Sequence, residues 1–101
     1  MPRPSLEQML RELIAAPSVS SVSPEFDSGN RAVIDLLAGW LDDLGFAVRV
    51  DELPHHPGKA NLVATLGSGP GGLVLAGHAD TVPCNPELWR EDPWQDRKSV
   101  V

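Results

Sequence analysis

At Gly45 the hydrophobic period of the chain changes, and that change decides the class of fold. Before it, apolar residues recur at helical spacing: Leu6, Met9, Leu10, Leu13 and Ile14 in one stretch, then Val33, Ile34, Leu37, Trp40, Leu41 and Leu44 in the next. After it they alternate, with Phe46, Val48 and Val50 on one face and Ala47, Arg49 and Asp51 on the other. Helices followed by strands predict an α/β chain with a mixed sheet.

The punctuation agrees with the periods. Ser5 is placed to cap the first helix, with Gln8 at capping-box spacing, and Pro17 ends it. The serine-rich stretch SVSSVSPEFDSGN reads as a loop. A second helix is predicted over roughly 30–44, with Gly45 just past its end, where a left-handed backbone costs glycine little. FAVRVDEL and NLVATLG read as strands joined by the turn-rich LPHHPGKAN. GSGPGG lacks the lysine and the helix-opening context of a phosphate loop and reads as a hairpin-type turn. It leads to LVLAG, apolar on both faces and therefore expected as a third strand inside the sheet.

Composition narrows the functions. The chain has 101 residues, 42% of them hydrophobic, enough for one small domain or a piece of a larger one. Fourteen acidic against eight basic residues give a net charge of −6, with no Lys/Arg cluster, which argues against nucleic acid and anionic membranes as partners. Cys84 is the single cysteine, so no internal disulfide forms. No apolar run is long enough to span a bilayer, and MPRPSLEQML has no secretory signal pattern. The expectation is a soluble cytoplasmic protein. No internal repeat is visible.

The chemistry gathers where LVLAG ends. In LVLAGHADTVP, His78 and Asp80 are two residues apart, so extended backbone projects both to one side. Ligands in open α/β sheets sit at that end of the strands. A neutral imidazole can bind a divalent metal through one ring nitrogen while a carboxylate takes the other N–H, fixing the tautomer. Asp80 can play that part, touch a metal itself, or simply close a hydrogen-bonded turn; the spacing alone does not choose. Other candidates are weaker. Cys84 with His78 would make a nucleophile pair, but a thiol beside the site is the simpler reading. His55 and His56 lie in a Pro-flanked loop and read as solvent-exposed. Trp40 belongs to the helical stripe, and Trp89 and Trp94 are expected to pack over the strand end.

LVLAGHADTVP followed by NPELWREDPW resembles the first metal-binding motif of the zinc-dependent aminoacylase and carboxypeptidase family. PSVS after the first helix, LDDLGF at the end of the second and NLVATLG before the glycine turn fall in that family's order, so the likeness covers 5–95. It implies that residues 1–95 are the N-terminal portion of a metallohydrolase catalytic domain, with two helices and then three or more strands. His78 corresponds to the first zinc ligand, and Asp80 to the active-site carboxylate that orients it. The implied cofactor is zinc or cobalt, two ions in the whole enzyme. The remaining ligands and a glutamate base would lie beyond Val101, so the chain alone is expected to be inactive.

Within the family the likeness is strongest to members that hydrolyse the acetyl amide of N2-acetylornithine in arginine biosynthesis. Succinyl-diaminopimelate desuccinylases and other aminoacylases are the alternatives. The implied partners are a small N-acylated amino acid and a second copy of the whole chain, a homodimer formed through a separate lid domain. A reading from another class is a non-catalytic chain whose exposed apolar faces bind a partner. The last six residues, DRKSVV, break the family pattern just after DPWQ and can be encoded by the start of a sequencing-adapter oligonucleotide, so 96–101 is expected to be an artefactual tail.

Overall fold

The computed structural model describes residues 3–95. The expected tail at 96–101 lies outside them.

Helix α1 spans Leu6–Ala15, and the Ser5 hydroxyl oxygen accepts the Gln8 N–H at 3.1 Å, the predicted cap. Ala16, the residue before Pro17, is extended and ends the helix as expected. The apolar stripe of α1 is poorly covered: none of its residues is buried, and Leu6 is 69% exposed.

Helix α2 spans Arg31–Asp43. Its stripe does find a surface, with Val33 and Ile34 buried against strands β1, Ala47–Glu52, and β2, Ala60–Thr65. Gly45 has φ +93°. The Phe46 and Gly45 N–H groups reach back to the Leu41 and Asp42 carbonyls, the pairing of a Schellman C-cap. The start of α2 is tied differently. Asn30 makes no side-chain cap; its amide instead brackets Ala60, accepting that residue's N–H at 2.9 Å and donating to its carbonyl at 3.1 Å. The Gly58 carbonyl accepts the N–H groups of Asn30 and Arg31. The helix entry is thereby bolted to the start of β2.

β1 and β2 form an antiparallel pair in which Val48 faces Ala64 and Val50 faces Leu62. These four are half-buried, while Ala47, Arg49 and Asp51 are exposed, as the alternation predicts. The hairpin loop 53–59 is closed by the Leu53 N–H to the Lys59 carbonyl.

The third strand is a correction. The α/β class stands, but the sheet has two strands among the described residues, and 73–77 pairs with no neighbour. Leu73, Val74 and Leu75 are 84%, 88% and 88% exposed. GSGPGG is accordingly not a hairpin turn; Gly67, Gly69, Gly71 and Gly72 all adopt positive φ and carry the chain away from β2. An open groove of about 830 Å³ separates β2 from 74–80. A run that is apolar on both faces needs cover on both and a ladder partner, and the pattern reports that need without supplying either.

One pairing was not anticipated. Val19, inside the supposed loop, forms a parallel β-bridge with Thr81. Val19 is buried together with Ser18, and with Val33, Ile34 and Ala60 it makes up the small core.

Candidate metal-ligand site

His78 stands where two grooves meet. One is the space of mixed polarity beside β2. The other, about 430 Å³, is apolar and lined by Leu13, Val33, Leu37, Val82, Trp89 and Trp94. The tryptophans do reach the strand end, though only partly covered, with Trp89 53% exposed.

His78 and Asp80 are brought together as their spacing implies: Nδ1 lies 2.8 Å from Asp80 Oδ1. With the carboxylate accepting Nδ1–H, the neutral ring carries its free lone pair on Nε2, the tautomer a metal ligand needs. Both side chains are open to solvent, 84% and 53% exposed.

As a metal site the donor set is partial. A catalytic zinc takes three protein ligands and a water. Among the described residues no group of three His, Cys, Asp or Glu side chains could hold an ion. His78 has the chemistry of one ligand, and the described residues gather no set of three around it. His55 and His56 are exposed in the hairpin loop. Cys84 shares the apolar groove with His78, but no hydrogen bond joins them among the described residues, so the nucleophile pair has no support.

The loop bearing the pair is held from outside. The Thr81 N–H donates to the Ser18 carbonyl, and the Thr81 carbonyl accepts the Ser20 N–H, both at 3.0 Å. On its other side the 18–21 strap is fastened to Asp27 and Ser28. Ser28 Oγ accepts the Val19 N–H at 2.8 Å, and the Ser28 N–H donates to the Val19 carbonyl at 2.9 Å. Asp27 accepts the Ser21 N–H at 3.0 Å and pairs with Lys59 at 3.1 Å. The Ser21 N–H first, then the Lys59 ammonium, hold the Asp27 carboxyl below its ordinary range, against a smaller cost of burial. Sequence reading placed all of this in an irregular loop. The one available signal was Val19, a β-branched residue set between serines just after a helix stop.

No family model matches the chain. Curated relatives do, among them three acetylornithine deacetylases. It is 48% identical over 91 residues to the acetylornithine deacetylase of Proteus mirabilis. To those of Pasteurella multocida and Vibrio atlanticus it is 51% identical over 92 residues and 48% identical over 93. These alignments take in 90–92% of this chain but 24% of each relative, so the chain spans about a quarter of their length. Over the stretch it shares with them, the chain is similar in sequence to these acetylornithine deacetylases.

Proposed function

We propose that residues 1–95 are the part of a metal-dependent amidohydrolase catalytic domain that presents its first metal ligand, and that the whole protein removes the acetyl group from N2-acetylornithine. The observation that carries this is the His78–Asp80 pair, 2.8 Å apart at the mouth of two grooves, in a chain this similar to proteins named acetylornithine deacetylases. His78 would offer Nε2 to zinc or cobalt, and Asp80 would accept Nδ1–H and keep the imidazole aimed. A bound metal supplies water activation near neutral pH and polarises the amide carbonyl. This chain's own residues bind and orient; the other ligands, the proton acceptor and a dimer contact would come from the remainder of the protein. The chain alone should hydrolyse nothing.

The test replaces the matching stretch of the Proteus mirabilis enzyme with residues 3–95 of this chain. The chimera should bind zinc and turn over N2-acetylornithine faster than N-succinyl-diaminopimelate or other N-acyl amino acids, and His78→Ala should lose both metal and turnover. A folded chimera that keeps its metal and its rate without His78 overturns the reading, and preference for a succinylated substrate moves the assignment to the desuccinylases. A non-catalytic binding role has one observation in its favour, the exposed apolar side chains of α1 and 73–75. Only a fold-competent chimera that neither binds metal nor turns over would favour it.

A further inference from the structure

From residue 66 to residue 84, the only backbone–backbone hydrogen bonds among the described residues are the two at Thr81. The stretch that carries His78 and Asp80 is therefore anchored at one point, and that anchor is the 18–21 strap. On its far side the strap is held at Val19 by Ser28 and at Ser21 by Asp27. Both polar backbone groups of Val19 are taken by Ser28, through its hydroxyl and its own N–H, while Ser18 and Ser20, on either side of Val19, serve Thr81.

We infer that Ser28 is a positioning residue for the metal-ligand loop: it fixes the strap, the strap fixes Thr81, and Thr81, three residues past His78, fixes where the imidazole stands. This rests on the proposed role of His78 as a metal ligand. The reasoning is geometric. A parallel bridge holds its register only if the central strand cannot slide, and a strap of four residues bonded on one side alone is free to shift. Ser28 closes the second side. Asp27 repeats the fastening one step along, at Ser21, with Lys59 behind it. Small displacements of a ligand-bearing loop lower turnover steeply, on the order of a hundredfold for a misplacement of about 1 Å.

The experiment uses the same chimera loaded with Co(II), whose visible absorption reports ligand geometry. Three variants are compared: Ser28→Ala, Ser28→Thr, which keeps the hydroxyl, and Val50→Ala, which weakens the sheet at a residue bonded to neither the strap nor Thr81. Ser28→Ala should shift the Co(II) bands and lower kcat ten- to a hundredfold with KM nearly unchanged. Ser28→Thr should restore both, and Val50→Ala should lower Tm while moving neither. If Ser28→Ala acts like Val50→Ala, lowering Tm alone, Ser28 is structural and the inference fails.

If the unsubstituted chimera takes up no Co(II), the functional reading falls first. The positioning claim is then decided on the 101-residue chain by the ¹⁵N shifts of the His78 ring. Ser28→Ala must move them and Val50→Ala must not; unchanged shifts in Ser28→Ala overturn it.

Discussion

His78 Nδ1 and Asp80 Oδ1 lie 2.8 Å apart with the ring 84% exposed, so the contact survives without any surrounding wall to enforce it. It is a local consequence of two residues set two apart, and it prepares one ring nitrogen for a ligand before any ligand set exists. In the chimera, Asp80→Asn keeps an acceptor for Nδ1–H but removes the charge. Its metal affinity should fall roughly ten- to a hundredfold, and that of Asp80→Ala at least as far, when measured by competition with a chelator. Equal affinities in all three proteins would show that Asp80 does nothing for the ligand.

Gly29 and Gly58 meet backbone to backbone. A Cβ at Gly29 would sit 2.5 Å from the Gly58 carbonyl oxygen, and Gly29 holds φ +71°. That oxygen is also the acceptor for the first two N–H groups at the start of α2, so it cannot move freely. Gly29→Ala should therefore destabilise by more than about 2 kcal/mol. Gly45→Ala, at φ +93° with open space around it, should cost only the backbone strain, about 1 kcal/mol. Chemical denaturation of both variants gives the order; the reverse order would contradict the clamp at Gly58.

Asp27 gives a pH dependence with a definite sign. Its carboxyl is held below the ordinary 3.8 by the Ser21 N–H and by Lys59. A depressed folded value means that its contribution is fully present above the unfolded value and is lost as pH falls through the folded one. Unfolding free energy should thus drop as the solution is acidified below about pH 4, and Asp27→Asn should flatten that drop while changing little of the profile above it. Parallel profiles for the two proteins would remove Asp27 from the account.

The two helices, their caps, the hairpin strands and the His78–Asp80 contact were legible because each is short-range: a period of 3.6, a period of 2, a serine three residues before a glutamine, two side chains two apart. What was not legible depends on distant partners. The serines of the strap look like loop residues because nothing local says that Thr81, some sixty positions on, supplies the missing ladder. Asn30 only opens the predicted second helix, yet its amide is spent on Ala60, thirty residues away. LVLAG has the composition of a segment made for burial, yet Leu73, Val74 and Leu75 stand exposed. Hydrophobicity states what a segment requires, while the neighbour that would meet the requirement is a property of the assembled sheet.

That unmet requirement makes the last prediction. No charged residue and no histidine occurs between Lys59 and His78. This stretch contains β2 and the exposed residues Leu73, Val74 and Leu75. Uncharged β-rich edges with nothing across them recruit other chains, and natural sheets guard against this with lysine or proline on the edge. The 101-residue chain should therefore self-associate, with scattering and elution size rising with concentration. Val74→Lys or Leu75→Lys should return it toward monomer. Because these side chains are 88% exposed, neither substitution should lower the thermal midpoint appreciably. A chain that stays monomeric before substitution, or one whose association ignores a lysine at either position, would mean that the open edge is not what holds the copies together.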